Sequence, residues 1–455
     1  RNALRLNYWS RHLFRQFCRM CDYHTDSELL TQFHEHGNMK MKDWKEYRIK
    51  DICEIIDGDR GKNYPQDSDF YDEGFCLFLN AGNVTKNGWN FNKVHFITKE
   101  KDTLLRKGKA SVNDIIMTTR GTVGNFTLFD NQVPYSNMRI NSGMVIIRTI
   151  ETIDKYFLLY LFQSDYVQNL IKLFCSGSAQ PQLPIKDFNK IKLSLPPLPT
   201  QQKIASILSA YDNLIQNYKK QIEALQTAAS ELYKEWFVRF RFLGWKNAKF
   251  ENGIPEGWKI ERLGNLFEIT SSKRVFEEDY VNEGIPFYRS KEIIELSNNQ
   301  EITTELFISN ELYAKFKNKF GVPKENDILI TSVGSIGNSY QVRKDDIFYF
   351  KDGNLTWIKS SSKKALSKYL IYWLKSDLGK NTLISSTIGT SQSALTIEKL
   401  RAIKILVPEV NILEKFEQKI SSFDIKIQIL NKQIANLTQQ RDLLLPRLMS
   451  GKLEV

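Results

Sequence analysis

The sequence predicts an α+β protein: two tandem, pseudo-symmetric globular domains separated by an antiparallel two-helix coiled coil. Three observations carry that expectation. A long internal repeat covers most of the 455 residues, an apolar heptad stripe follows each copy, and each copy mixes strand-like and helix-like patterns.

The repeat is most visible where NDIIMTTRGTVGN at 113–125 returns as NDILITSVGSIGN at 326–338. Seven of the thirteen positions are identical and five are conservative exchanges; only Arg120 against Val333 breaks the match. The neighbours repeat in the same order. WKEYRIKDICEI at 44–55 matches WKIERLGNLFEI at 258–269, KYFLLYL at 155–161 matches KYLIYWL at 368–374, and GSAQPQLPI at 177–185 matches GTSQSALTI at 389–397. A unit of about 210 residues is a duplicated domain, far longer than the ~20–50 residue units of solenoids and propellers.

Within each copy, NDIIMTT and NDILITS are β-rich apolar runs that end in the turn glycines Gly121/Gly124 and Gly334/Gly337. GMVIIR and IKLSL read as further strands, and KYFLLYLFQSDYVQNLI as one amphipathic helix, giving a twisted, mainly antiparallel sheet with helices. Trp44 and Trp258 are expected as core anchors, and Asn125 and Asn338 as turn formers.

The segment after each copy changes character. Leu208, Tyr211, Ile215, Tyr218, Ile222, Leu225 and Leu232 fall at alternating steps of three and four, as do Phe416, Ile420, Phe423, Ile427, Leu430, Ile434, Leu437 and Leu444, with Ala229 and Arg441 each at one further seam position. A single stripe would ordinarily pack on its own domain. Two equivalent stripes in a duplicated chain offer each other a partner, antiparallel if a pseudo-twofold axis relates the halves. About 33 residues at ~1.5 Å each give a spacer of roughly 50 Å. LPPLPT at 195–200 and VPEV at 407–410 mark the stops between domain and helix. The expected boundaries are 1–40 for an extension, 41–199 and 241–409 for the two domains, and 200–240 and 410–455 for the helices.

The bulk numbers narrow the class. A hydrophobic fraction of 42% with 25% charged residues describes an ordinary globular protein. The net charge of +12 fits a polyanionic partner. Five scattered cysteines argue against a disulfide framework, and no apolar run approaches the ~18 residues a membrane span needs, so a cytoplasmic protein without membrane contact is expected. Residues 1–38 have no counterpart in the second half. They hold Cys18, Cys21, His12, His24, His34 and His36, but the spacing matches no familiar zinc finger, so no metal site is expected. The segment reads as an upstream extension or fusion remnant, with the domain starting near Met39 or Met41.

The duplicated W-K-x-x-R-[IL]-x-[DN]-[IL] opening, the G-[ST]-x-Q-x-x-L turn, LPPLPTQQKIASIL leading into a helix and the closing LLPRLMSGKL together resemble the specificity subunit of type I DNA restriction–modification systems. The resemblance covers Met41 to Val455; VPEVNILEKF departs from the usual second junction. It implies a chain without catalysis or cofactor of its own, in which each domain is a target recognition domain reading one half of a split double-stranded DNA sequence. It also implies helices that dock two modification (methyltransferase) subunits carrying S-adenosylmethionine, and restriction subunits that use ATP and magnesium.

The residues agree with a chain that recognises but does not react. No GxxxxGK[ST] phosphate loop, [DNS]-P-P-[YFW] tetrapeptide, HExxH or GxSxG occurs. Beyond the N-terminal segment His95 is the only histidine, read as a solvated strand-edge side chain, and Asp57, Asp59, Glu277, Glu278 and Asp279 read as loop solvation. Two other classes stay open on sequence: a DNA-modifying enzyme with a divergent active site, and a coiled-coil adaptor without DNA binding.

Reading bases takes forked or planar donors and acceptors such as Arg, Asn and Gln, and holding phosphates takes Lys, Arg, Ser or Thr. Both should lie where the two copies differ. In the first copy that selects Arg60, Lys62 and Asn63, Arg120, Asn137 and Arg139, and Gln180 and Gln182. In the second it selects Ser272, Lys273 and Arg274, Arg289 and Lys291, and Ser335, Asn338, Asn354 and Gln392.

Overall fold

The two apolar runs of the repeat form the strands Ile115–Thr118 and Ile328–Thr331, with every residue buried. The computed structural model describes residues 43–177, 181–298, 300, 302, 304–360, 364–387 and 393–455; the Cys/His-bearing N-terminal segment, Gln180 and Gln392 lie outside them. The chain divides into two compact units. One gathers the described residues up to Asn217 with Gln433–Val455, and the other the described residues of Tyr218–Lys432. Each long helix therefore contributes to both units.

In the first unit an antiparallel sheet has the order Cys53–Asp57, Met144–Thr149, Ile115–Thr118, Phe126–Leu128. Its alternation explains the unbroken apolar runs. Ile115, Met117, Val145 and Ile147 point into a core shared with the helices, while Ile116, Met144 and Ile146 point into a second core under another sheet. The second unit repeats this order with Glu268–Thr270, Leu355–Lys359, Ile328–Thr331 and Ser339–Gln341, and splits Ile328, Ile330 and Ile358 from Leu329, Leu355 and Trp357 in the same way.

The sequence suggests one sheet per domain; with two-stranded pairs beside them, the described residues of each unit form two four-stranded sheets. The second has the order Phe96–Ile97, Cys76–Leu79, Met138–Ile140, Lys109–Ala110, and its central pair is parallel. Parallel neighbours need a long crossover, which the first sheet's own strands supply between Leu79 and Met138. Ile285–Tyr288 beside Tyr349–Phe350 is the matching parallel pair in the other unit.

The run KYFLLYLFQSDYVQNLI is two helices, Lys155–Gln163 and Asp165–Phe174, instead of one. Ser164 between them is extended, and its hydroxyl caps the Val167 amide, a local bond that competes with helix continuation. Ser376 breaks Lys364–Lys375 from Asp377–Ser385 in the same manner. Each domain's opening strand pairs antiparallel with its closing strand: Lys45–Arg48 with Lys192–Leu195, and Lys259–Arg262 with Lys404–Val407. Trp44 packs against the first core and Trp258 is buried in the second unit's core, as expected.

The central helix runs Leu198–Tyr233 and continues through a widened π turn to Val238; the C-terminal helix runs Val410–Met449. In the first unit Ile204, Ala205 and Leu208 share a core with Leu448 and Met449. In the second, Ala229, Tyr233, Trp236 and Phe237 share one with Ile412, Leu413, Phe416 and Ile420, where the Phe237 and Phe416 rings meet edge-on at 4.8 Å. In both units late residues of one helix meet early residues of the other, so the pairing is antiparallel. All fifteen apolar stripe positions are buried or half-buried, while the off-stripe Ile425, Ile429 and Leu443 are exposed. The stripe also enters the domain cores, so helix-on-domain and helix-on-helix packing coexist. No described helix is long and apolar enough to cross a membrane.

Candidate nucleic-acid interface

The repeated glycine turn is built identically in the two units. Thr118 Oγ1 donates to the Thr122 carbonyl and accepts the Asn125 amide at 3.1 Å; Thr331 Oγ1 donates to the Ser335 carbonyl and accepts the Asn338 amide at 3.0 Å. Gly121 and Gly334 have φ of 73° and 74°, Gly124 and Gly337 of 88° and 90°, a left-handed backbone that explains why glycine recurs there. The asparagine side chains then diverge. Asn125 Nδ2 donates to Val84 O at 3.0 Å and so ties down a hairpin of the first unit, whereas Asn338 Nδ2 stays in its own turn on Ser335 O at 2.8 Å.

Neighbouring loops converge on this turn. Thr119 bonds Gly143 and Leu183 through its backbone, and Arg120 bridges Gln182. Arg60 reaches the Ser142 carbonyl at 3.3 Å and pairs with Asp57 at 3.2 Å. Arg60, Arg120 and Gln182 are thereby gathered around one turn, and Arg120 is exposed with its guanidinium unpaired among the described residues. Lys62 is exposed and Asn63 donates to the Leu104 carbonyl at 3.3 Å. The half-buried Asn137 lends its carbonyl to the Leu77 amide.

Arg139 has a different role from the one its sequence context suggested. It is 7% exposed, its Nε lies 2.6 Å from Asp102 Oδ1, and its other nitrogens donate to the Asp102, Leu105 and Lys107 carbonyls. These four bonds hold helix Lys99–Leu104 against the second sheet. Lys109 meets the other Asp102 oxygen at 2.7 Å. Burial pushes that carboxyl up, but the bonds from Lys109 and Arg139 outweigh it and hold the pKa below its ordinary value.

In the second unit Ser272 donates to the Phe350 carbonyl at 2.7 Å, Arg274 pairs with Asp352 at 2.9 Å, and the Asn354 carbonyl accepts the Ser332 amide. This brings Ser272, Arg274 and Asn354 beside the turn carrying Ser335 and Asn338. Lys273 is exposed. Arg289 and Lys291 stand apart at the start of helix Ser290–Ser297, where Arg289 is engaged by the fully buried Glu292 at 3.0 Å and Lys291 lies 4.0 Å from Glu295.

Asp59 also departs from its reading as a solvated loop acid. It is 6% exposed and accepts the Gly61 and Arg106 amides, each at 2.7 Å, so it shapes the GDRGKN loop. Sequence reasoning missed Gln201, which accepts the Asp154 amide and donates to the Pro196 carbonyl, both at 2.9 Å, locking the LPPLP junction to the first unit's helices. The paired glutamines after the prolines were the available signal. Burial pushes the Cys53 and Cys76 thiols up to about 12, leaving them unreactive, and no cluster among the described residues could hold a metal ion.

The family comparison also finds two copies of one domain. A family model described as "type I restriction modification DNA specificity domain" matches residues 41–227 and again 255–439. The MjaIX type I restriction enzyme specificity subunit of Methanocaldococcus jannaschii is 28% identical over 449 residues, covering 93% of this chain and 97% of the relative. The HindI specificity subunit of Haemophilus influenzae is 21% identical, covering 91% and 100%. A crystal structure of the S subunit of a type I system from M. genitalium superposes with a TM-score of 0.53 at 18% identity, over 91% of this chain and 97% of that one, and shows the shared fold. The chain, with its two copies of the domain, belongs to the type I restriction–modification DNA specificity family.

Proposed function

We propose that this chain is the specificity subunit of a type I restriction–modification complex and reads a bipartite double-stranded DNA target with one domain per half-site. The observation that carries the reading is a repeated scaffold with unlike loops. The same glycine turn is surrounded by Arg60, Arg120 and Gln182 in one unit and by Arg274, Ser335, Asn338 and Asn354 in the other. A constant backbone with different donor and acceptor sets is what two different half-sites require. The chain recognises; chemistry belongs to partners, two modification subunits with S-adenosylmethionine and restriction subunits with ATP and magnesium. Base-resolution methylation mapping in cells with and without the gene tests this. A split motif that vanishes with the gene is the expected result, and an unchanged methylome overturns it.

A further inference from the structure

The first unit carries a groove beside its repeated glycine turn. It measures about 680 Å³ and opens between the turn Gly121–Asn125 and helix Asp165–Phe174, with Lys86 on one rim and Lys172 on the other. No carboxylate lines it among the described residues. Lys86 is exposed at the tip of the hairpin formed by Val84–Thr85 and Gly88–Trp89, and it forms no ion pair among the described residues. Lys172 is exposed and donates to Asn169 Oδ1 at 3.3 Å.

The groove is braced from below. Gln168 Nε2 donates to the Gly124 carbonyl at 2.9 Å and to the Phe162 carbonyl at 2.8 Å, so its amide clamps the turn to the helices. Asn125 holds the hairpin over the same turn through Val84, and the Trp89 indole donates to the Leu128 carbonyl at 2.9 Å. Arg120 immediately precedes the lining residue Gly121. In the second unit the strand equivalent to Cys76–Leu79 is followed by helix Ser290–Ser297 in place of a hairpin, and the helix equivalent to Asp165–Phe174 exposes Leu378, Lys380 and Ile384.

We infer that this groove holds the DNA backbone of the first half-site, with Lys86 and Lys172 each contacting a phosphate on either side of the base met by Arg120. The inference rests on the recognition reading above and extends it to a pair of phosphate contacts in the first half-site. Two cations facing across an acid-free groove suit a strand with one charge per nucleotide, and lysine–phosphate contacts position the strand without reading it.

The test uses the full chain with its modification subunits, on duplexes carrying the mapped target and on a random-sequence duplex, with affinity measured across a salt series. In Lys86→Ala/Lys172→Ala the dependence of log affinity on log salt should become shallower by roughly 2, since each phosphate contact contributes ~0.9. The methylated motif should stay the same, and Lys86→Arg should restore one contact. An unchanged salt slope overturns the inference, and so does an altered base preference at the first half-site. If the double variant is silent while Arg120→Ala still changes the first half-site, the groove falls and the recognition reading stands. Absence of any DNA affinity at low salt in the unaltered complex overturns both.

Discussion

Arg441 Nη1 stands 2.6 Å from Asp212 Oδ1, and the same carboxylate takes the Tyr160 hydroxyl at 2.5 Å on its other oxygen. A charged side chain inside an apolar helix seam is thus matched across the pair and anchored to a domain helix. Polar seam residues fix register at some cost in stability, because any slip leaves them unpaired. Burial pushes the Tyr160 hydroxyl pKa up, and the Asp212 charge pushes it the same way, so it remains a donor at all working pH values.

Removing the carboxylate should therefore be felt by both partners. Asp212→Ala is expected to lower stability by about 1–3 kcal/mol, since it strands the Tyr160 hydroxyl and leaves Arg441 only its neighbour Asp442. The value belongs at the lower end because about a third of the Asp212 and Arg441 side chains is exposed. A double-mutant cycle with Arg441→Ala, read by thermal melting, should give a coupling of about 0.5 kcal/mol or more. Zero coupling would mean that the pair is a surface contact with no hold on the register.

Two arginines of the first unit should part company in experiment. Arg120→Ala is expected to fold normally and to change preference at one base of one half-site, costing roughly 1–3 kcal/mol there. Arg139→Ala should instead lower the melting temperature, by about 3–5 kcal/mol of stability, because it leaves Asp102 buried beside only Lys109. Methylation mapping and melting curves on both variants decide the matter; a stable Arg139→Ala with altered specificity would reverse the assignment.

The contrast between those arginines shows where the sequence was readable. Matching segments in the same order exposed the duplication, unbroken apolar runs the strands NDIIMTT and NDILITS, and alternating steps of three and four the helix seam. It could not separate Arg120 from Arg139. Both sit in polar loop-like stretches, and only the fold places Asp102 and three carbonyls around one of them. Asp59 was misread for the same reason, since its partners are backbone amides that no side-chain pattern reveals. The break at Ser164 was hidden because the flanking apolar residues keep helical spacing across it. Turn chemistry was legible at Gly121 and Gly124, where the conformation itself demands the residue.

Acid should unfold the first unit through Asp102. Its pKa is depressed in the folded chain, as is that of Glu292, where burial is outweighed by bonds from Arg289. A depressed carboxylate contributes stability that is fully present above its unfolded value of about 4 and is lost as pH falls through the folded value. Melts from neutral pH down to about pH 3 should steepen below about pH 4. Asp102→Asn should start from a lower stability at neutral pH and lose less over the acid limb. An identical acid limb in the variant would place the acid sensitivity elsewhere.

The helix pair makes a prediction about distance. Seven residues inserted after Leu225 in the central helix, with seven inserted after Ile427 in the C-terminal helix, preserve the alternating seam in both and add about 10 Å of helix. The unread gap between the half-sites should then grow by roughly three base pairs, at ~3.4 Å per step along each strand. The half-site sequences themselves should be unchanged, because Arg120 and the loops around Ser335 and Asn338 are untouched. Seven residues inserted in only one helix shift one stripe against the other and should lower stability without yielding a defined longer gap. Methylation mapping reads all three outcomes, and an unchanged gap in the doubly extended chain would show that the helices do not set the spacing.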